Sequence, residues 1–378
     1  MSLSVPSPAT TVTVFAALQQ LPDPRDKRGK RHELAFVLCG VILAIMAGRS
    51  RVSAIHRFLR NRFAWLRELT QAASEHGCIS RAQLPRLLAK VEWTTLQPLL
   101  GTYLGVQVES PAPGEWIAID GKALRGSPGE QVVLARSHQS GCLLAHQPLS
   151  GPKRSEVTTV RALLAQPPLA GRNVTLDALH CNPRTTAQIH QAHGGYLVQV
   201  KANQSALRTA VQTLAAADVP LGTCQSVDKA HGRVEVRHAA FFSLASLALP
   251  TRWHRSGLSA VVRVERTTTP LTTNKQTQAV AYYLTNQEVR AGAAQAALFT
   301  AIREHWGCEA DNWLRDVTLQ EDQVLVQHAT QAHVLGLLRT LVVGLFRKAR
   351  VGNMRAMLDD LVDSPSLFSH MLRQVGFL

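Results

Sequence analysis

Residues 116–120 read Trp-Ile-Ala-Ile-Asp and residues 173–177 read Asn-Val-Thr-Leu-Asp, two short runs of strand-favouring residues that each end on an acid. What surrounds them decides the fold. Gln131 to Ser137 and Cys142 to Gln147 are two further such runs, set off by Gly-containing turns, so the segment from Trp116 to Gln147 reads as an antiparallel meander. Ser155 to Ala165 carries a helical pattern and leads into the 173–177 strand. Asn182 as N-cap, with Pro183 at the first helical position, starts a helix to about Ala192, and Tyr196 to Lys201 makes a fifth strand.

Three antiparallel strands followed by helix, strand, helix, strand is the order of a ribonuclease-H-like α/β core. Residues 220–286 interrupt it with the β-rich runs Val234 to Phe242, Ser259 to Arg266 and Gln278 to Leu284, expected to form an inserted β subdomain. The pattern then returns to helix, from about Asn286 through Trp313 and again over His333 to Lys348.

Upstream the periodicity is helical throughout. An apolar run from Leu34 to Ala47 closes at Gly48, and in the helix expected next Val52, Ile55, Leu59, Phe63 and Leu66 form a core stripe at spacings of three and four. Arg57, Arg60 and Arg67 fall on another side of that helix, and Ser80 with Gln83 opens a third helical pattern reaching Lys90. Pro111 to Gly114 reads as a linker. The expected division is a tail over 1–20, a helical DNA-binding domain over 21–110, the first part of the α/β core over 111–219, the β insertion over 220–286, and a helical completion over 287–378.

The charge balance names the partner class. Among 378 residues, 41 Lys and Arg stand against 26 Asp and Glu, a net charge of +15. Such an excess favours a polyanion, and with no unbroken run of 18 or more apolar residues to span a bilayer, double-stranded DNA is expected and a membrane is not. The protein is read as cytoplasmic, associated with the nucleoid when bound to DNA. Cys39, Cys78, Cys142, Cys181, Cys224 and Cys308 are scattered without a C-x-x-C pair, so they read as reduced core thiols. His180 with Cys181, and His190 with His193, lack a second pair at matching spacing, so zinc is not expected.

Acids are scarce, which gives Asp120 and Asp177 weight. In the order above they end the first and fourth strands, which are neighbours in the sheet, so their carboxylates are expected close together. Close carboxylates repel unless a cation lies between them, and oxygen ligands of this kind suit Mg²⁺ or Mn²⁺. Two such ions can ready a nucleophile and stabilise the leaving oxygen of an in-line phosphoryl displacement. Each acid also has a plain structural reading: Asp120–Gly121 as a hairpin turn, and Asp177 as a cap on the loop before the next helix.

Taken together, several motifs resemble the H-repeat-associated or ISAs-type transposases of bacterial insertion sequences, which are DDE recombinases. The likeness covers nearly the whole chain: Asp-Pro-Arg with Lys-Arg-His within Asp23 to His32, Ile-Asp-Gly-Lys with Leu-Arg-Gly from Ile119 to Gly126, Lys153 and Ser155-Glu156, and Thr175 to Cys181. It continues through Tyr196 to Gln204, His231 to Arg237, Arg303, His305-Trp306, Glu309 and Arg315 to Asp322. The resemblance implies an Asp120, Asp177, Glu309 triad holding two divalent ions, with cleavage at terminal inverted repeats and strand transfer into target DNA by a homodimer on DNA. Lys122, Lys201, Arg233 and Arg237 lie in the matched motifs and are expected, with Arg57, Arg60 and Arg67, to meet phosphates.

One segment departs from the family pattern. His305 to Val317 reads one residue shorter than its counterpart, and one residue removed from a helix turns every later residue by about 100°. The facing of Asp316 relative to Glu309 is therefore open, Glu304 and Asp311 stand as lesser candidates for the third acid, and a catalytically inactive, DNA-binding relative is the alternative reading.

Overall fold

The computed structural model describes residues 13–26, 30–71, 76–103, 114–127, 129–141, 143–149, 155–167, 169–230, 232–273, 275–290 and 292–378. Most of the expected tail and linker, Lys27 and Arg28 between the Asp-Pro-Arg and Lys-Arg-His motifs, Cys142, Lys153 and His231 lie outside them. The N-terminal part is helical, with α1 (Val14–Gln19), α2 (Leu34–Met46), α3 (Val52–Asn61), α4 (Phe63–Thr70), α5 (Gln83–Leu88) and α6 (Trp93–Tyr103). The apolar run is α2, buried along its whole length, and Gly48 ends it at φ +71°, where a side chain would be strained. The single helix expected from residue 51 is two, broken at Arg62, which lets Trp65 pack against Phe368. Ile55, Leu59 and Leu66 are buried while Arg57, Arg60 and Arg67 are exposed, so the two-sided reading of that segment holds.

The α/β part follows the expected order through β1 (Trp116–Ala123), β2 (Gln131–Ser137), β3 (Leu143–Pro148), α7 (Glu156–Leu164), β4 (Asn173–Leu176), α8 (Pro183–Gln191), β5 (Tyr196–Val200) and α9 (Ser205–Ala217). Then come β6 (Gly222–Ala230), β7 (Arg233–Ser243), β8 (Ala260–Pro270) and β9 (Thr277–Thr285). All nine strands join one sheet in the order β3-β2-β1-β4-β5-β9-β8-β7-β6. β1 pairs antiparallel with β2 and parallel with β4, and β4 pairs parallel with β5. The strands of residues 220–286 continue this sheet beyond β5 through β9. They are thus an extension of the core sheet, with β6 added to the three strand runs legible in the sequence.

One face of the sheet packs Ile117, Ile119, Val174 and Leu176 against Val160, Leu163, Ile189 and Val211 of α7, α8 and α9. The other meets the C-terminal helices: α10 (Gly292–His305), α11 (Gly307–Trp313), a π-helical turn over Leu314–Thr318, and α12 (Ala329–Lys348), followed by α13 (Met354–Asp363) and α14 (Pro365–Gln374). The long helix expected from Asn286 is therefore two, parted at Trp306. By length and composition α12 could cross a membrane, although His333, Arg339 and Thr340 interrupt its apolar run. Its residues are instead mostly buried in the protein, with Leu335, Leu338, Val342 and Phe346 in one core with α2, α5 and α6.

A buried acid fastens these layers together. Glu321 meets Arg315 at 2.8 Å, Arg339 at 3.5 Å and Lys122 at 3.8 Å, and Arg339 also donates to the Ser50 carbonyl at 3.1 Å. Burial alone would raise the Glu321 carboxyl, but the three cations bring it down to about 2. Glu321→Gln would leave two arginines buried without their counter-charge. It is expected to destabilise the chain by about 3–5 kcal/mol, read as a lowered urea midpoint.

Candidate active site

β1 does not stop at Asp120. The strand runs on to Ala123, with Asp120 opposite Leu134 and Gly121 opposite Val133, so the hairpin reading of Asp120–Gly121 is overturned by continued ladder pairing with β2. Side chains alternate along a strand, so Asp120 and Lys122 share the face turned towards α11, and Gly121 faces α7. In β4 the parallel register pairs Ile119 with Leu176, which brings Asp120 and Asp177, the residues immediately after, to the same end of neighbouring strands. Asp177 also acts as a cap, accepting from the Leu179 N–H at 2.9 Å at the head of the turn Ala178–His180.

The third expected acid comes from α11. Glu309 lies in its first turn and is exposed; three residues on, Asn312 Nδ2 donates to Asp120 Oδ2 at 3.2 Å, and four residues further Lys122 Nζ donates to Asp316 Oδ1 at 2.5 Å. Spacings of three and four put Glu309, Asn312 and Asp316 on one side of the helix, laid along β1. The π-helical turn at Leu314–Thr318 lies within this segment, and Asp316 faces the same strand as Glu309's neighbours despite the short sequence.

Two residues absent from the expected triad complete the cluster. Glu156, the first residue of α7, accepts from the fully buried His180 Nε2 at 3.0 Å, and the same nitrogen stands 3.9 Å from Asp177 Oδ1. One ligand atom from each of Glu156, Asp177 and His180 lies within 4.8 Å of the others. The sequence signal was slight: Ser155-Glu156 sits in a matched motif, at a helix start, after the meander. Burial, then the charges of Asp177 and Glu156, and less strongly Glu309, raise the Asp120 carboxyl to about 6, against a backbone hydrogen bond at Gly121 that lowers it. Below the cluster Thr175 Oγ1 bridges His138 Nε2 at 3.0 Å and His305 Nδ1 at 2.9 Å, and burial holds these imidazoles down to about 3 and about 4.

The other expected contacts divide. Lys122 is buried on Asp316, so it is not free to meet a phosphate, a correction that comes from its inward place on β1. Arg237 is held by Asp228 and Glu235, and Arg233 by Glu235 at 2.8 Å, so these two arginines are engaged within the sheet extension. Lys201 is exposed, next to a turn whose Asn203 and Gln204 donate to the carbonyls of Ala178 and Cys181 and so support the Asp177 loop. Asp311 is clamped between Arg136 and Arg347, which removes it as a third acid, and Glu304 is exposed on α10. His190 Nδ1 lies 3.2 Å from Asn286 Nδ2, and burial pushes the Cys181 thiol up to about 12.

The raised Asp120 carboxyl has a stability consequence. Its folded pKa of about 6 lies above the ordinary aspartate value of 3.8, so between these values the folded state holds more protons than the unfolded one and stability falls as pH rises. Asp120→Asn is expected to raise the cation-free stability by on the order of 1–2 kcal/mol at pH 7. The gain should shrink to nothing below about pH 4, measured as urea midpoints across that range.

Residues 15–104 match the family model described as DDE_Tnp_1-associated, which covers the helical part. Across the longer span the chain is 24% identical over 344 residues to "Putative transposase YncI" of Escherichia coli O157:H7, covering 87% of this chain and 86% of that protein. It is 23% identical over 344 residues to the "H repeat-associated putative transposase YhhI" of Escherichia coli strain K12, covering 88% and 89%. An uncharacterized protein in the dhlA 3′ region of Xanthobacter autotrophicus is 28% identical over 228 residues, 57% of this chain and 76% of that protein. With one match on the helical part and others spanning most of the chain, the chain is similar to proteins described as putative transposases, the H repeat-associated ones among them.

Proposed function

We propose that the chain is a DNA transposase with a ribonuclease-H-like core, in which Asp120, Asp177 and Glu309 hold Mg²⁺ or Mn²⁺ and the helical part binds the terminal inverted repeats. The observation that carries this reading is the pairing of β1 with β4, which brings Asp120 and Asp177 to the same end of neighbouring strands; the charge of Glu309 also bears on Asp120. The strand order β3-β2-β1-β4-β5, antiparallel then parallel, supports the fold assignment. The donor set fits a hard cation: carboxylate oxygens from two strands and an exposed helix, open to a ligand arriving from solvent. When bound, two such ions would activate the attacking water or 3′-hydroxyl and stabilise the leaving oxygen.

The chain's own residues do the positioning. Asn312 fixes the Asp120 carboxylate from above, and the Lys122–Asp316 pair straps the segment carrying Glu309 to β1. The net charge of +15 supplies the attraction for a polyanion, and the exposed Arg57, Arg60 and Arg67 offer it a face on α3 and α4. Joining two element ends to one target requires two active sites, so the working form is at least a homodimer on DNA.

The test is a cleavage and joining assay on a labelled duplex carrying the element's terminal repeat, with Mg²⁺ or Mn²⁺ and an EDTA control. Asp120→Asn and Asp177→Asn are each expected to lose cleavage by 10³-fold or more, on the order of what loss of a charge-stabilising group costs, while still binding the repeat. Tight binding with no cleavage by the wild-type chain would instead establish the inactive, DNA-binding relative. Replacing Arg57, Arg60 and Arg67 by Gln should reduce the slope of log affinity against log salt by up to about 3, from roughly 0.9 per phosphate contact; an unchanged slope removes that face from the interface.

A further inference from the structure

We propose that Glu156 is a direct ligand of the cation bound by Asp120 and Asp177, and that His180 is the positioning residue that holds its carboxylate there. This rests on the cation-dependent reading above and adds to it a carboxylate from a different element. Three observations converge. Glu156 Oε1 is fixed by His180 Nε2 at 3.0 Å, and with Asp177 these groups form the compact set within 4.8 Å. His180 is wholly buried and its other ring nitrogen has no partner among the described residues, so the ring is committed through Nε2 to the acid. Gly121, the residue after Asp120, leaves the space the carboxylate fills: a Cβ there would collide with Glu156 Oε2.

Charge argues the same way. The helix N-terminus and the His180 N–H favour the charged form of Glu156, and two carboxylates held as close as Glu156 and Asp177 repel unless a cation joins them. With Glu309 the site would offer four carboxylates, a formal charge that two divalent ions neutralise. Glu156 reaches it from the α7 side of the sheet and Glu309 from the α11 side, so ions would be gripped from both faces of the strand ends.

The experiment titrates Mn²⁺ into the full chain without DNA, counting free Mn²⁺ by electron paramagnetic resonance, for wild type, Asp120→Asn, Glu156→Gln, Gly121→Ala and His180→Gln. Glu156→Gln is expected to lower Mn²⁺ affinity at least tenfold. Its cation-free melting temperature should not fall, since a repelling charge has gone. Gly121→Ala keeps every carboxylate yet displaces Glu156, and should weaken Mn²⁺ as well. His180→Gln is expected to cost about tenfold, in line with loss of a group orienting a ligand, and the bound Mn²⁺ should show no nitrogen coupling in its spin echo. If Glu156→Gln binds Mn²⁺ like wild type while Asp120→Asn does not, Glu156 is no ligand. Nitrogen coupling from His180 would overturn its positioning role, and wild type binding no better than Asp120→Asn would bring down the cation site itself.

Discussion

The parallel pairing of β1 with β4 is the constraint on which the acidic cluster depends. Sequence-distant acids become neighbours because the register aligns Ile119 with Leu176, and each acid is the next residue along its strand. Apolar side chains on the α7–α9 face fix that register, since a slip by one residue would turn Ile117, Ile119, Val174 and Leu176 away from their core. The energy that aligns the carboxylates therefore comes from burying aliphatic surface behind them.

The sequence carried the order of the core elements well, because short strands with period-two runs and a helix opened by Asn182-Pro183 have local causes. It was less informative where tertiary packing decided the outcome. Arg62 breaks a helix whose hydrophobic stripe runs straight through, and β1 extends past Asp120 because β2 is there to pair with Gly121 and Lys122. The site was legible in Asp120 and Asp177, each the last residue of an apolar run. Glu156, Asn312 and His180 were less so: Glu156 and His180 lie within matched motifs, but a glutamate at a helix start, a lone asparagine and a histidine carry no role there until the chain folds. Lys122 misled for a related reason: a lysine beside an acid in a motif does not reveal which face of the strand it takes.

Charge inside the protein is organised around pairs rather than left to solvent. Asp311 gathers Arg136 and Arg347, and Glu321 gathers Arg315 and Arg339; nearer the surface, Asp228 gathers Arg237 and Arg303. These acids are taken up by cations of the chain, whereas Asp177 and Glu156 lie together with His180 in one compact set and both bear on Asp120. Buried pairs of this sort fix geometry more than they add stability, and Glu321 does so between Ser50 in the helical part and Lys122 beside the acids.

The hydrogen bond from Asn312 to Asp120 spans 192 positions of chain. Protein synthesis adds roughly 5–20 residues per second, so about 10–40 s separate the appearance of these two side chains at the ribosome. Over that interval the strands can form, but the lid of α11 over them does not yet exist. The ensemble of acids is therefore assembled late in translation, and a nascent chain cut short before α11 carries the sheet without its completed cluster.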